Sequence, residues 1–360
     1  MQHPGSAGSR GHRASGETMT RRILRIALIG ACLLVLWLGA AGAYLLYAPA
    51  PEVPVLSGSL EHDSVRVGEA TRRYAFYAPA RLAPRTPLVL ALHGSMGSAG
   101  KMRRETAYGF ERLADEHGFI VVYPEGFQGH WNDCRKQASY SAKRLNIDDV
   151  GFLRALIAQF RTSHDVDSAR VFVVGLSNGA HMGYRLALEA PEIVRGVAAV
   201  AANLPTEDNS DCVPVPGSVP VLILNGTEDP INPYDGGRVT LFGFGNRGTV
   251  LSARQSAEFF ARRNGITDAP VAERIAQDRS TSTSAERTHW RSDTGADVVL
   301  YTIHGGGHAL PQPHARFPRL LGRTHAELDG PAEIWRFFST SISVPFPGST
   351  CSDAPSCGGQ

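Results

Sequence analysis

The chain has 360 residues, 42% of them apolar and 19% charged, which is enough to bury a large core. Its 36 basic and 34 acidic residues leave a formal charge of +2, which excludes the strong positive field expected of a nucleic-acid binder. None of the spacings among the five cysteines matches a zinc site.

The first 22 residues are a basic tail carrying Arg10, Arg13, Arg21 and Arg22 without apolar periodicity. Arg25 follows, and then no charged side chain occurs from Ile26 to Tyr47. As a helix that run spans about 33 Å at roughly 1.5 Å per residue, the thickness of a bilayer core. Residues 23–47 are therefore predicted to cross the cytoplasmic membrane once. The arginines hold the N-terminus inside, and the rest of the chain lies outside the cytoplasm. The alternative is a signal sequence cleaved near Ala41, Gly42 and Ala43, which would release a secreted protein. Residues 48–60, with Pro49, Pro51 and Pro54, read as a linker. Beyond the anchor lie Cys134, Cys212, Cys351 and Cys357, an even set that in an oxidising compartment implies two disulfides with three possible connectivities. The simplest joins Cys351 to Cys357, neighbours in sequence, and leaves Cys134 with Cys212.

From residue 61 to 340 short apolar runs alternate with longer amphipathic segments. Strands are predicted at 73–77, 87–92, 119–123, 171–174, 196–201, 219–224 and 298–303, and helices at 105–117, 147–163, 179–189, 252–264 and 331–338. That alternation predicts one α/β domain: a mostly parallel central sheet with helices on both faces, preceded by the transmembrane helix. The polar stretch 272–294 is expected to be a loop or an edge hairpin, and 341–360 a tail pinned by a disulfide.

The chemistry is concentrated at the ends of strands. Gly175-Leu176-Ser177-Asn178-Gly179 follows the apolar run Val171-Phe172-Val173-Val174 and opens a helix, the setting in which a tight turn lifts a nucleophilic serine above a sheet. A serine hydroxyl needs a base, and the base needs an acid to orient it. Asp229, before Pro230 and after the run 221–224, is the expected acid, with Glu228 as its rival. His308 is the expected base, because Gly305, Gly306 and Gly307 let the chain turn back over the sheet after the strand at 298–303. His304 sits too close to that strand. The oxyanion of an acyl-transfer intermediate requires two backbone donors, here expected from Asn178 and from Ser95 in the loop His93-Gly94-Ser95-Met96-Gly97, with Met96 as the alternative. That loop fails as a nucleotide-binding loop, because its glycine spacing is one residue too long and Met102 stands where a magnesium-binding hydroxyl belongs. No metal or organic cofactor is expected.

These motifs, with Leu92-His93-Gly94, Trp131-Asn132-Asp133, Asp148-Asp149-Val150-Gly151-Phe152 and Gly305-Gly306-Gly307-His308, resemble the polyhydroxybutyrate depolymerase-like esterases, relatives of the feruloyl esterases. The resemblance runs from about residue 65 to 338. It implies the α/β-hydrolase fold, a Ser177, Asp229 and His308 triad, and a substrate-binding role for Trp131. Members often carry a tryptophan soon after the histidine, where this chain has Ala309-Leu310-Pro311. The expected activity is hydrolysis of short- to medium-acyl or hydroxyacyl esters outside the cytoplasm. Soluble esters or oligomers are favoured over insoluble polymer because no binding module follows the domain. An acyltransferase using the same triad and a non-catalytic cell-surface binding domain are the other readings.

Overall fold

The computed structural model describes residues 19–276 and 282–342. The chain divides into two units, Met1–Tyr47 and Ala48–Gln360. In the first, α1 (Met19–Leu46) is a single helix of 28 residues with no buried side chain. It is long and apolar enough to cross a bilayer, spanning about 42 Å at roughly 1.5 Å per residue.

The second unit runs β1 (Ser59–Val67), β2 (Ala70–Ala78), β3 (Thr86–Leu92), α2 (Ala99–Glu105), α3 (Gly109–His117), β4 (Ile120–Pro124), α4 (Ser141–Arg144) and α5 (Asp149–Ser163). It continues through β5 (Val166–Leu176), α6 (Asn178–Glu189), β6 (Gly196–Val200), β7 (Val221–Gly226), β8 (Gly237–Arg238), β9 (Thr249–Val250) and α7 (Ala253–Arg263). The last elements are β10 (Val271–Arg274), β11 (Ser284–Trp290), β12 (Val298–His304) and α8 (Gly330–Ile342).

Ten strands form one sheet in the order β1-β2-β4-β3-β5-β6-β7-β12-β11-β10 among the described residues. The six central strands from β4 to β12 pair in parallel, whereas β1, β2, β11 and β10 are antiparallel edges. Parallel strands buried on both faces need apolar side chains in both directions, and β3 supplies them: Leu88, Leu90 and Leu92 enter one core while Val89 and Ala91 enter the other. In β5, Val171 and Val173 face the first core and Phe172, Val174 and Leu176 the second. The first core is closed by α5, α6 and α7, the second by α2, α3 and α8. Asp148 caps α5 through the Gly151 amide at 2.7 Å, and Ser252 with Gln255 forms a capping box on α7.

Three expectations change and one is narrowed. Residues 105–117 are not one helix, because Ala107 and Tyr108 take φ of 48° and 57° and break the run between α2 and α3. The linker at 48–60 ends in a strand, as β1 begins at Ser59 and pairs with β2 from Ser59↔Ala78 onward. The stretch 272–294, expected as a loop or an edge hairpin, contributes β10 and β11, which pair antiparallel at the edge of the sheet as the second alternative has it. The domain extends through Ile342 in α8. The expected Cys351 to Cys357 disulfide and the tail from 343 lie outside the described residues.

Candidate functional site

The strand order reverses at β3, since β4 lies on one side of it and β5 on the other. Such a switch point opens a crevice at the carboxyl ends of the strands, and every expected catalytic residue follows one of these ends. Ser95 lies in the loop after β3, Ser177 and Asn178 follow β5, Asp229 follows β7 and His308 follows β12.

Ser177 sits between strand and helix with φ 55° and ψ −115°, a strained conformation for a residue with a side chain. The surroundings hold it there: its amide donates to the Val200 carbonyl at 2.8 Å, and its carbonyl accepts from His181 at 3.0 Å as α6 begins. Gly179 allows the approach of α6 to β3, because a Cβ at that position would stand 2.2 Å from the Leu92 carbonyl oxygen.

Asp229 is buried and accepts three hydrogen bonds. Its Oδ1 takes the amides of Ile231 and Asn232, each at 2.8 Å, and its Oδ2 takes His308 Nδ1 at 2.7 Å. An ionised carboxylate only accepts, so the proton of this last bond belongs to His308 Nδ1, and Nε2 is left with a lone pair. His308 is itself fixed by its backbone, whose amide donates to the Leu321 carbonyl at 2.7 Å. Glu228 instead pairs with Arg323 at 2.7 Å, both side chains more than half exposed, which removes it from the site. His304 is likewise half exposed, with Glu286 at 4.0 Å. Among the described residues no group of three or more His, Cys, Asp or Glu side chains is arranged to hold a metal ion.

Asn178 is the first residue of α6, and the first amides of a helix have no carbonyl within the helix to bind. The loop bearing Ser95 passes close by, since a Cβ on Gly94 would lie 3.4 Å from Ser177 Cβ. His93 anchors this loop: Nε2 accepts the Gly126 amide at 3.0 Å, so Nδ1 carries the proton and donates to the Gly94 carbonyl at 2.7 Å. Burial holds the His93 imidazole neutral, its pKa lowered to about 4.

Trp131 departs from expectation. It is fully buried, with no surface to offer a substrate, and its indole Nε1 donates to the His93 carbonyl at 2.9 Å. A buried tryptophan needs a partner for that N–H, and here the partner belongs to the loop beside Ser177. Residues that sequence reasoning passed over surround it: Asp133 and Arg135 form a buried ion pair, and the Asn178 side chain donates to Asp133 Oδ2 at 2.6 Å. Burial opposes ionisation of Asp133, but the charge and hydrogen bonds of Arg135 outweigh it and hold the carboxyl down at about 2. Cys134, between them, is disulfide-bonded to Cys212.

Comparison with known proteins gives a consistent result. The profile of the family described as Esterase PHB depolymerase matches residues 72–283. NocK of Nocardia uniformis subsp. tsuyamanensis, provisionally named an esterase, is 33% identical over 297 residues, covering 78% of this chain and 83% of NocK. Poly(3-hydroxyalkanoate) depolymerase C of Paucimonas lemoignei is 26% identical, covering 65% of this chain and 58% of that protein. Among solved structures, an acetyl xylan esterase from Aspergillus awamori superposes with a TM-score of 0.53 at 18% identity, over 79% of this chain and 100% of its own, a likeness of fold. The chain therefore belongs to the Esterase PHB depolymerase family, as a carboxylic ester hydrolase of the α/β-hydrolase fold.

Proposed function

We propose that this chain is a serine carboxylesterase that works outside the cytoplasm on short- to medium-acyl or hydroxyacyl esters through an acyl-enzyme on Ser177. The observation that carries the reading is the 2.7 Å bond between His308 Nδ1 and Asp229, at the same carboxyl end of the sheet as the strained turn at Ser177. In this mechanism Nε2 of His308 takes the Ser177 Oγ proton as the oxygen attacks the ester carbonyl. The tetrahedral oxyanion is received by the amides of Asn178 and Ser95, and His308 returns the proton to the departing alcohol. A water molecule then repeats the sequence, His308 acting as base, and frees the acid. Asp229 orients the imidazole and stabilises its charged form.

The names of relatives, acetylxylan esterase A of Aspergillus oryzae and the depolymerase above, support small acyl and hydroxyacyl groups respectively. For location, the support is the apolar α1 with Arg21, Arg22 and Arg25 at its N-terminal end, together with the Cys134–Cys212 disulfide in the domain that follows. On this reading 23–47 is a single-pass anchor or an export signal, and the catalytic domain faces away from the cytoplasm.

The test is labelling of the full-length chain by a fluorophosphonate, beside Ser177→Ala, with turnover of a short acyl ester measured in parallel. Labelling and turnover present in the wild type and absent from the variant are expected. A folded wild type that neither labels nor turns over ester sinks the proposal. Product that goes mainly to an added alcohol acceptor, rather than to free acid, replaces the hydrolase with an acyltransferase.

A further inference from the structure

Both halves of the oxyanion site lean on one short segment, residues 131–135. From the α6 side, the fully buried Asn178 carboxamide grips Trp131 twice. Its Oδ1 accepts the Trp131 amide at 2.8 Å, and its Nδ2 donates to the Trp131 carbonyl at 3.1 Å. The same Nδ2 reaches Asp133 Oδ2 at 2.6 Å. From the β3 side, the Trp131 indole holds the carbonyl of His93, two residues before Ser95. The residue on each side of the nucleophile pocket is thus tied to the same tryptophan, one through its backbone and one through its ring.

The segment is itself rigidly held. Arg135 forks onto Asp133, with Nη2 at 2.5 Å from Oδ2 and Nε at 3.1 Å from Oδ1, and the Arg135 amide adds a third bond to Oδ1 at 2.8 Å. The disulfide from Cys134 to Cys212 joins it to a second loop, and that junction is closed by Lys136 amide to Asn209 carbonyl at 2.7 Å and Asp211 amide to Cys134 carbonyl at 3.1 Å. Asp133 and Arg135 are almost wholly buried, and removing two charges from water is unfavourable unless the hydrogen bonding around them is complete. A buried polar network of this kind fixes geometry more than it adds stability.

We propose that Asp133 is a positioning residue for the ester hydrolysis: through the Asn178 side chain and Trp131 it sets the separation of the two backbone N–H groups that receive the oxyanion. The Cys134–Cys212 disulfide is the staple that keeps this brace in register. The proposal rests on Ser177 being the nucleophile. Donors must stand 2.7–3.1 Å from the oxygen to stabilise it, and misplacement on the order of 1 Å lowers rate by about 10²-fold. Binding of the ground-state ester, whose carbonyl is only weakly charged, is far less sensitive.

The experiment compares the full-length wild type with Asp133→Asn, which keeps the shape and removes the charge. Trp131→Phe is the second variant, since it removes the indole N–H together with part of the ring's volume and leaves the Asp133–Arg135 ion pair in place should Asp133→Asn fail to fold. End-point fluorophosphonate labelling counts competent sites, and kcat per labelled site, KM and the affinity for a trifluoromethyl ketone are then measured. The ketone forms a tetrahedral adduct whose oxyanion occupies the same position. Expected is a fall of about 10- to 100-fold in kcat per labelled site in either variant, an equal fall in ketone affinity, and KM within about two-fold of wild type. A variant that has fewer labelled sites or a lower melting temperature, but unchanged kcat per site and unchanged ketone affinity, has lost structure alone and overturns the proposal. Wild-type labelling that persists in Ser177→Ala overturns the underlying nucleophile assignment instead, an outcome readable without either brace variant.

Discussion

Asp229 illustrates how much one carboxylate can be asked to do. Two backbone amides fix its Oδ1, so only Oδ2 is left to orient His308, and the imidazole has one tautomer available. Replacing Asp229 by Asn keeps the size but presents an N–H toward His308 Nδ1. The ring then carries its proton on Nε2, where it cannot accept one from Ser177. We expect Asp229→Asn to lower kcat by about 10⁴-fold with little change in KM or in melting temperature, as measured by initial rates and thermal unfolding. An effect below about ten-fold would mean that Asp229 does not control a tautomer of His308 on which turnover depends. Glu228, one residue away, is spent on the exposed Arg323, and its replacement by Gln is expected to leave the rate within two-fold.

At the scale of elements, the site depends on how closely the loops above the sheet approach one another. Gly226 ends β7, and a Cβ built on it would lie 2.3 Å from the Gly306 carbonyl oxygen and 2.5 Å from that of Gly307, in the turn that delivers His308. Gly226→Ala therefore has to push this turn away. A loss of about 1–3 kcal/mol in unfolding free energy, typical of overpacking, is expected in urea titration, together with a fall in kcat as His308 is displaced. Unchanged stability would show that the turn is looser than its contacts imply. The same scale explains what could be read from the sequence. The strand, turn and helix around Ser177 are contiguous, so its setting was legible, as was the strand-end position of Asp229 and His308. Strands β1 and β10 were not, because their side chains are mostly exposed and their order comes from pairing with β2 and β11 rather than from an apolar pattern. The burial of Trp131 was also illegible: its partners His93 and Asn178 lie 38 and 47 residues away, and local sequence carries no trace of either bond.

For the molecule as a whole, the buried histidines link the site to acid stability. His93, at 0% exposure, has its pKa lowered to about 4 by burial, and His181, one turn into α6, is lowered well below the ordinary value chiefly by burial and then by the charge of Arg135. In the unfolded chain both take up protons near pH 6.5, whereas the folded domain resists doing so until far lower pH. The unfolded state thus binds more protons between about pH 6.5 and pH 4, and stability decreases as pH falls through that window. His93 alone contributes a loss of about 3 kcal/mol across it, and below pH 4 its contribution levels off. Asp133 acts later: its carboxyl is held at about 2, so its stabilisation is complete above the ordinary aspartate value and disappears only as pH drops from about 3.8 toward 2. Acid sensitivity between pH 6.5 and 4 is therefore assigned to histidine and not to the carboxylate of the brace. Urea unfolding of the full-length chain in detergent, followed by tryptophan fluorescence at pH 7.5, 6 and 5, is expected to give a midpoint that falls steadily with pH. A midpoint that stays level from pH 7.5 to 5 would mean that His93 and His181 are not kept neutral by the fold.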